Sequence, residues 1–232
     1  MTGERRSADG GRPTDGERFT DRLRAGVADD WEAATEHRFA RELVDGTLDD
    51  AVFRRYLVQD FAFVNTLASV IGYAAAQAPT IEAKAEFAAF LRAVATDETD
   101  YFARSFDALG VPEADRTDPD LASVTERFED LLLRAALDGG YAETLAVLVP
   151  AEWVYLTWAS AAGDDRPDAF YLAEWIDLHA GPEFESVVAF LRGELDAAAG
   201  ALSPERERRV ERLFGRCVAL EVAFFDAAYE GE

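Results

Sequence analysis

Apolar residues recur at three- and four-residue steps along almost the whole chain. From Asp49, the stretch DDAVFRRYLVQDFAFVNTLASVIGYAAAQ puts Val52, Phe53, Tyr56, Leu57, Phe63, Val64 and Leu67 on one stripe, the signature of an amphipathic helix. Pro79 closes that segment. Thr80 precedes a second run, IEAKAEFAAFLRAVATDETDYFARSFDALG, which stops at Gly110 with Pro112 just beyond. A third helix is predicted from about Leu121 to Leu137, ending at Gly139–Gly140. The next begins near Tyr141 and carries Pro150, whose missing N–H predicts a kink. AGDDRPD around Pro167 reads as a turn, AFYLAEWIDLHA as a short helix and Gly181–Pro182 as a break. EFESVVAFLRGELDAAAG and the segment from Ser203 to the C-terminus complete the pattern, with Ser203 and Pro204 suited to N-cap and N1. No alternation of strand type persists beyond a few residues, and there is no internal repeat. The expected fold is all-α and one domain, a bundle over residues 18–232 with mostly short connections between antiparallel neighbours. Residues 1–17 read as a disordered, solvated tail.

Composition narrows the class. Of 232 residues, 49% are apolar, enough for a sizeable core and too many for general disorder. One cysteine excludes a disulfide framework, and two histidines, His37 and His179, leave little for a histidine-rich metal centre. No run of 18 or more uncharged apolar residues exists and the start lacks a secretory pattern, so the expectation is a soluble, cytoplasmic protein with no membrane partner. Charge sharpens this: 23 Lys+Arg against 46 Asp+Glu give a formal net charge of −23. Such a chain is repelled by phosphate backbones, which disfavours nucleic acid as a partner. Lys84 is the only lysine. An acid-rich, lysine-poor surface suits a salty, halophilic cytoplasm, where screening suppresses self-repulsion.

Three acids stand on otherwise apolar or aromatic helix faces. Asp60 sits in YLVQDFAFV one turn before Phe63, Glu152 sits in VPAEWVYLTW with Tyr155 at i+3, and Glu221 sits in VALEVAFFDAAY just before Phe224 and Phe225. Carboxylates are rarely buried unless paired or functional, so three in aromatic company point to a pocket inside the bundle. Each acid taken singly also fits the solvated edge of its stripe, and both readings stay open on spacing alone. A carboxylate-lined aromatic slot suits a flat, protonatable heterocycle with an exocyclic amine: one carboxylate bridges a ring nitrogen and the adjacent amino group, aromatic faces sandwich the ring, and a second carboxylate of raised pKa moves protons.

Taken together, HRFARELVDGTLDDAVFRRYLVQDFAFV, PAEWVYLTWA, YLAEWIDLHAGPEF and LEVAFFDAAY resemble the TenA family of thiamin-salvage enzymes, in order and at the family's spacing, from about Trp31 to Tyr229. The resemblance implies the haem-oxygenase-like helical bundle, a small-molecule pyrimidine substrate and a homotetramer, with no cofactor and no metal. It places the pyrimidine-binding aspartate on Asp60, the C-terminal acid/base glutamate on Glu221 and the tyrosine near the reacting centre on Tyr155. The nucleophilic cysteine of one family branch falls on Ala151, whereas Glu152 matches the glutamate that marks the cysteine-lacking branch. Substrate-facing tyrosines of the cysteine branch fall on Phe63, Phe128 and His179; phenylalanine keeps a stacking face and drops the hydroxyl.

The implied activity is a cysteine-independent hydrolase of (formyl)aminomethyl-4-aminopyrimidine breakdown products of thiamin. Asp60 holds the ring, Phe63 and Phe128 stack on it, Tyr155 orients the substituent, and Glu152 and Glu221 share base and acid roles. The alternative is a non-catalytic pyrimidine-binding or regulatory protein on the same fold. A di-iron oxidase, which would need inward histidines at i, i+3 from helical glutamates, fits these two histidines poorly. Cys217 and His37 read as structural.

Overall fold

The computed structural model describes residues 17–230, the side chains of Asp97 and Glu98 aside. All but the last residue of the expected 1–17 tail lies outside the described residues. Among the described residues, twelve α-helices follow one another: α1 Phe19–Ala25, α2 Ala28–Thr35, α3 Arg38–Val44, α4 Asp50–Gln77, α5 Ile81–Ala93, α6 Thr99–Ala108, α7 Glu113–Thr117, α8 Ser123–Asp138, α9 Tyr141–Ser160, α10 Phe170–Ala180, α11 Pro182–Ala199 and α12 Pro204–Ala227. Among the described residues there is no strand.

Local chemistry sets most boundaries. Asp49 caps α4 by accepting from the Ala51 N–H at 2.8 Å, and Thr80 caps α5 by accepting from Ala83 at 3.1 Å. Ser203 accepts from the Arg206 N–H at the start of α12, with Pro204 in its first turn as expected. His37 is structural: its Nδ1 accepts from the Phe39 N–H at 3.1 Å and caps α3, so Nε2 carries the proton facing Asp226 at 3.2 Å. Two segments differ from the periodic reading. The run after Thr80 is not one helix: a π turn, Val94–Glu98, divides α5 from α6. A π turn admits an extra residue and so rotates the following face, the one that buries Tyr101, Phe102 and Phe106. Apolar spacing looks helical on both sides of such a turn, so periodicity does not reveal it. Pro150, by contrast, lies inside a helix that continues through it.

Helix α9 is the axis of the bundle. Sixteen of its 20 residues are buried, and it packs on α12, α11, α8, α10 and α4. A helix apolar all round is what a central position requires. Its start is pinned by an ion pair on a buried carboxylate: Glu143, 2% exposed, receives two hydrogen bonds from the half-exposed Arg206 at the start of α12, at 3.0 and 2.6 Å, and a third from the Gly140 N–H at 3.1 Å. Helix α4 is long and apolar enough to cross a membrane by length and composition alone, but it packs on α5, α8 and α9 as an inner helix of the bundle.

The α8–α9 junction allows no side chain at Gly139. A Cβ there would lie 2.4 Å from the Ala135 carbonyl oxygen and 2.6 Å from Glu143 Cβ. Gly139→Ala should therefore lower unfolding free energy by about 2 kcal/mol through overpacking, measured by urea denaturation. Gly193→Ala, where an added Cβ meets nothing within 4 Å, serves as the control and should not destabilise.

Candidate active site

Four helices converge on one small cavity. Helix α4 contributes Asp60, Phe63, Val64 and Leu67; α9 contributes Ala151, Glu152 and Tyr155; α10 contributes Trp175 and His179; α12 contributes Glu221. Helical spacing explains the grouping, because Asp60–Phe63 and Glu152–Tyr155 are i, i+3 pairs and Trp175–His179 an i, i+4 pair, each on one face of its helix. The three acids expected on apolar faces are all buried, with Asp60 5%, Glu152 7% and Glu221 2% exposed. Phe63, Tyr155 and His179 share the cavity with them. Phe128 does not line it. Its ring packs on Phe63 from behind, centroids 4.7 Å apart, and braces that wall.

Among the described residues, no lysine or arginine lines the cavity. Burial first, and then the neighbouring Asp60 and Glu152, push the Glu221 carboxyl well above the ordinary carboxylate range. Glu221 thus holds its proton more tightly than an ordinary carboxyl group. Burial also keeps the Tyr155 phenol protonated, with Asp60 and Glu221 adding to the effect. The Tyr155 hydroxyl lies 2.8 Å from that of Tyr56. Among the described residues, no group of three or more His, Cys, Asp or Glu side chains is arranged to hold a metal ion.

His179 contributes a neutral ring. Its Nδ1 lies 2.8 Å from the Trp175 carbonyl oxygen, which can only accept, so Nδ1 carries the proton and Nε2 is an acceptor. Burial among Tyr155, Trp158, Trp175 and Phe184 lowers its pKa to about 4, outweighing the carbonyl's opposite effect. Cys217 stands apart: its thiol donates to the Val147 carbonyl at 3.3 Å, and burial pushes its pKa up, so it packs as a neutral core residue.

The cavity measures about 30 Å3, room for only one or two waters. A heterocyclic ring can enter only if lining side chains part.

The TENA/THI-4/PQQC family model matches residues 24–231. The chain belongs to this family. An aminopyrimidine aminohydrolase of Halalkalibacterium halodurans is 26% identical over 204 residues, 86% of this chain and 90% of that protein. Among solved structures, the TenA homologue of P. horikoshii superposes with a TM-score of 0.82 at 26% identity, covering 93% of this chain and 100% of that one. A Shewanella denitrificans domain described as having a haem-oxygenase-like fold covers 91% of this chain and 92% of that one, with a TM-score of 0.55 at 15% identity. The expected fold class, an all-α bundle of the haem-oxygenase type, is therefore the observed one.

Within this family frame, sequence reasoning misses two residues. Trp175 forms a wall of the cavity, and its only signal is the i, i+4 spacing to His179. Tyr56 lies one turn before Asp60 and reads in the sequence simply as part of an apolar stripe.

The neutral His179 makes a pH prediction. Its pKa falls from 6.5 unfolded to about 4 folded, so in that interval the unfolded chain binds a proton that the folded chain refuses. The associated stability is complete above pH 6.5 and is lost as pH falls toward about 4. His179→Asn retains an N–H donor without titrating. Wild type should lose stability relative to this variant across the interval, read by thermal denaturation at stepped pH. Parallel pH profiles would mean that the ring is not held neutral.

Proposed function

We propose that this protein is a thiamin-salvage hydrolase that cleaves the exocyclic C–N bond of aminomethyl- or formylaminomethyl-4-aminopyrimidines without a cysteine nucleophile. The observation that carries the reading is the cavity itself: three buried carboxyl groups, one of them with its proton affinity raised, an aromatic wall, and Ala151 beside Glu152. Family membership and the similarity to an aminopyrimidine aminohydrolase support it.

In this mechanism Asp60 accepts from the protonated ring nitrogen and the 4-amino group, and Phe63, braced by Phe128, stacks on the ring. Tyr155 and the acceptor Nε2 of His179 orient the substituent. Glu152, as the base, takes a proton from water, and the water oxygen bonds to the carbon attached to the departing nitrogen. The C–N bond breaks and Glu221 gives its proton to that nitrogen. The aminomethyl compound then yields the hydroxymethyl-pyrimidine and ammonia; the formylated compound yields formate and the aminomethyl-pyrimidine. Phosphorylated pyrimidines are poor candidates, since a phosphate would meet carboxyl groups and no cationic side chain.

The test is mass-spectrometric product detection with both pyrimidines and thiamin, in concentrated potassium chloride to screen a net charge of −23. Wild type should convert at least one of the two aminopyrimidines. Glu152→Gln should lower turnover by about 100-fold or more while ligand affinity barely changes, because the base acts only in the chemical step. Saturable binding without turnover in wild type would favour a pyrimidine-binding or regulatory protein on this fold.

A further inference from the structure

Tyr56 does not line the catalytic cavity; it stands behind Tyr155, which does. The two hydroxyls are 2.8 Å apart, and both side chains are buried, Tyr56 at 1% and Tyr155 at 8% exposure. Tyr56 cannot turn away. Its ring is held by Phe39 at 4.5 Å between centroids, by Phe224 at 5.7 Å and by Phe53 at 5.9 Å. A phenol pair shares one proton in its mutual hydrogen bond and keeps one for another acceptor. The cavity's acceptors, three carboxyl groups and the His179 Nε2, share its lining with Tyr155, whereas Tyr56 is not part of that lining. The arrangement that satisfies both hydroxyls is Tyr56 donating to the Tyr155 oxygen, with the Tyr155 proton turned into the cavity.

We propose that Tyr56 is a positioning residue: by donating to Tyr155 it aims the Tyr155 hydroxyl proton at the bound substrate's reacting substituent. This rests on the reading that Tyr155 touches the substrate. Without the Tyr56 hydroxyl, the Tyr155 rotor loses its fixed donor, and its proton spends part of its time directed backward into the core. Such an effect depends on Tyr155 and vanishes when the Tyr155 hydroxyl is absent.

A double-mutant cycle separates this from simple packing. Tyr56→Phe removes one oxygen and keeps the ring, so thermal denaturation should show a folded protein. Its kcat on the aminomethyl-pyrimidine should fall about tenfold, the worth of one hydrogen bond, with KM essentially unchanged. Tyr155→Phe should fall further, and the double variant should turn over like Tyr155→Phe alone. Additive losses, or an unchanged kcat in Tyr56→Phe, would overturn the proposal. A second readout needs no turnover: with tyrosine labelled at Cζ, the Tyr155 carbon resonance should move in Tyr56→Phe, and a fixed resonance would overturn the proposal. A wild type inactive on every pyrimidine would sink the hydrolase reading, and the resonance would still decide the role of Tyr56.

Discussion

Three carboxyl groups share a cavity whose lining, among the described residues, holds no lysine or arginine, and this constraint organises what surrounds it. Were all three ionised in so small a buried space, each pair would repel with little solvent to screen it. Burial and the neighbouring carboxyl groups raise the proton affinity of Glu221, the most deeply buried of the three. His179 is held neutral for the same reason of burial, so it does not neutralise the acids; it adds an acceptor. The result is an acid, acceptors and aromatic faces within one cavity, a set that a protonatable heterocycle bearing N–H donors complements.

Holding such a set together demands stiff supports. Glu152 and Glu221 stand on α9 and α12, and the register between these helices is set at their starts by the Glu143–Arg206 ion pair. Glu143 is buried while the Arg206 side chain is half-exposed, so removing Arg206 would leave a buried carboxylate without its partner. The value of the pair here is geometric: it anchors the first turn of α9 two to three turns before Glu152. On the opposite side Asp60 is carried by α4, and the ring contacts of Tyr56, Phe63 and Phe128 tie that helix to α8, α9 and α12. The same aromatic cluster that forms the core is thus the back wall of the cavity, and packing and function draw on the same residues.

Much of this is legible in the sequence, for a definite reason. An acid on an apolar helical stripe violates the pattern around it, and Asp60, Glu152 and Glu221 stand out along the chain as such violations. Long helices with capped starts are equally plain at Asp49, Thr80 and Ser203. What stays hidden obeys the pattern. Tyr56 and Trp175 are aromatic residues on aromatic stripes, and only the hydroxyl contact of one and the cavity-facing position of the other set them apart. Phe128 shows the converse: its assignment to a stacking position comes by resemblance, and the structure puts it one layer out, behind Phe63. The π turn at Val94–Glu98 and the short helices α1–α3 and α7 escape because each is too short to establish a period of its own.

The size of the cavity has a last consequence. With room for one or two waters, ligand binding can release little ordered solvent from the cavity itself, so affinity must come from contacts formed as the walls part and close again. The carboxyl-bearing helices are the long ones, α4 at 28, α12 at 24 and α9 at 20 residues, each packed along much of its length. Helix α10, which supplies Trp175 and His179, has 11 residues and is bounded by a left-handed Gly163 turn on one side and Gly181–Pro182 on the other. The three carboxyl groups thus stand on the long helices α4, α9 and α12 with Phe63 and Tyr155, and the Trp175–His179 pair stands on the shorter α10.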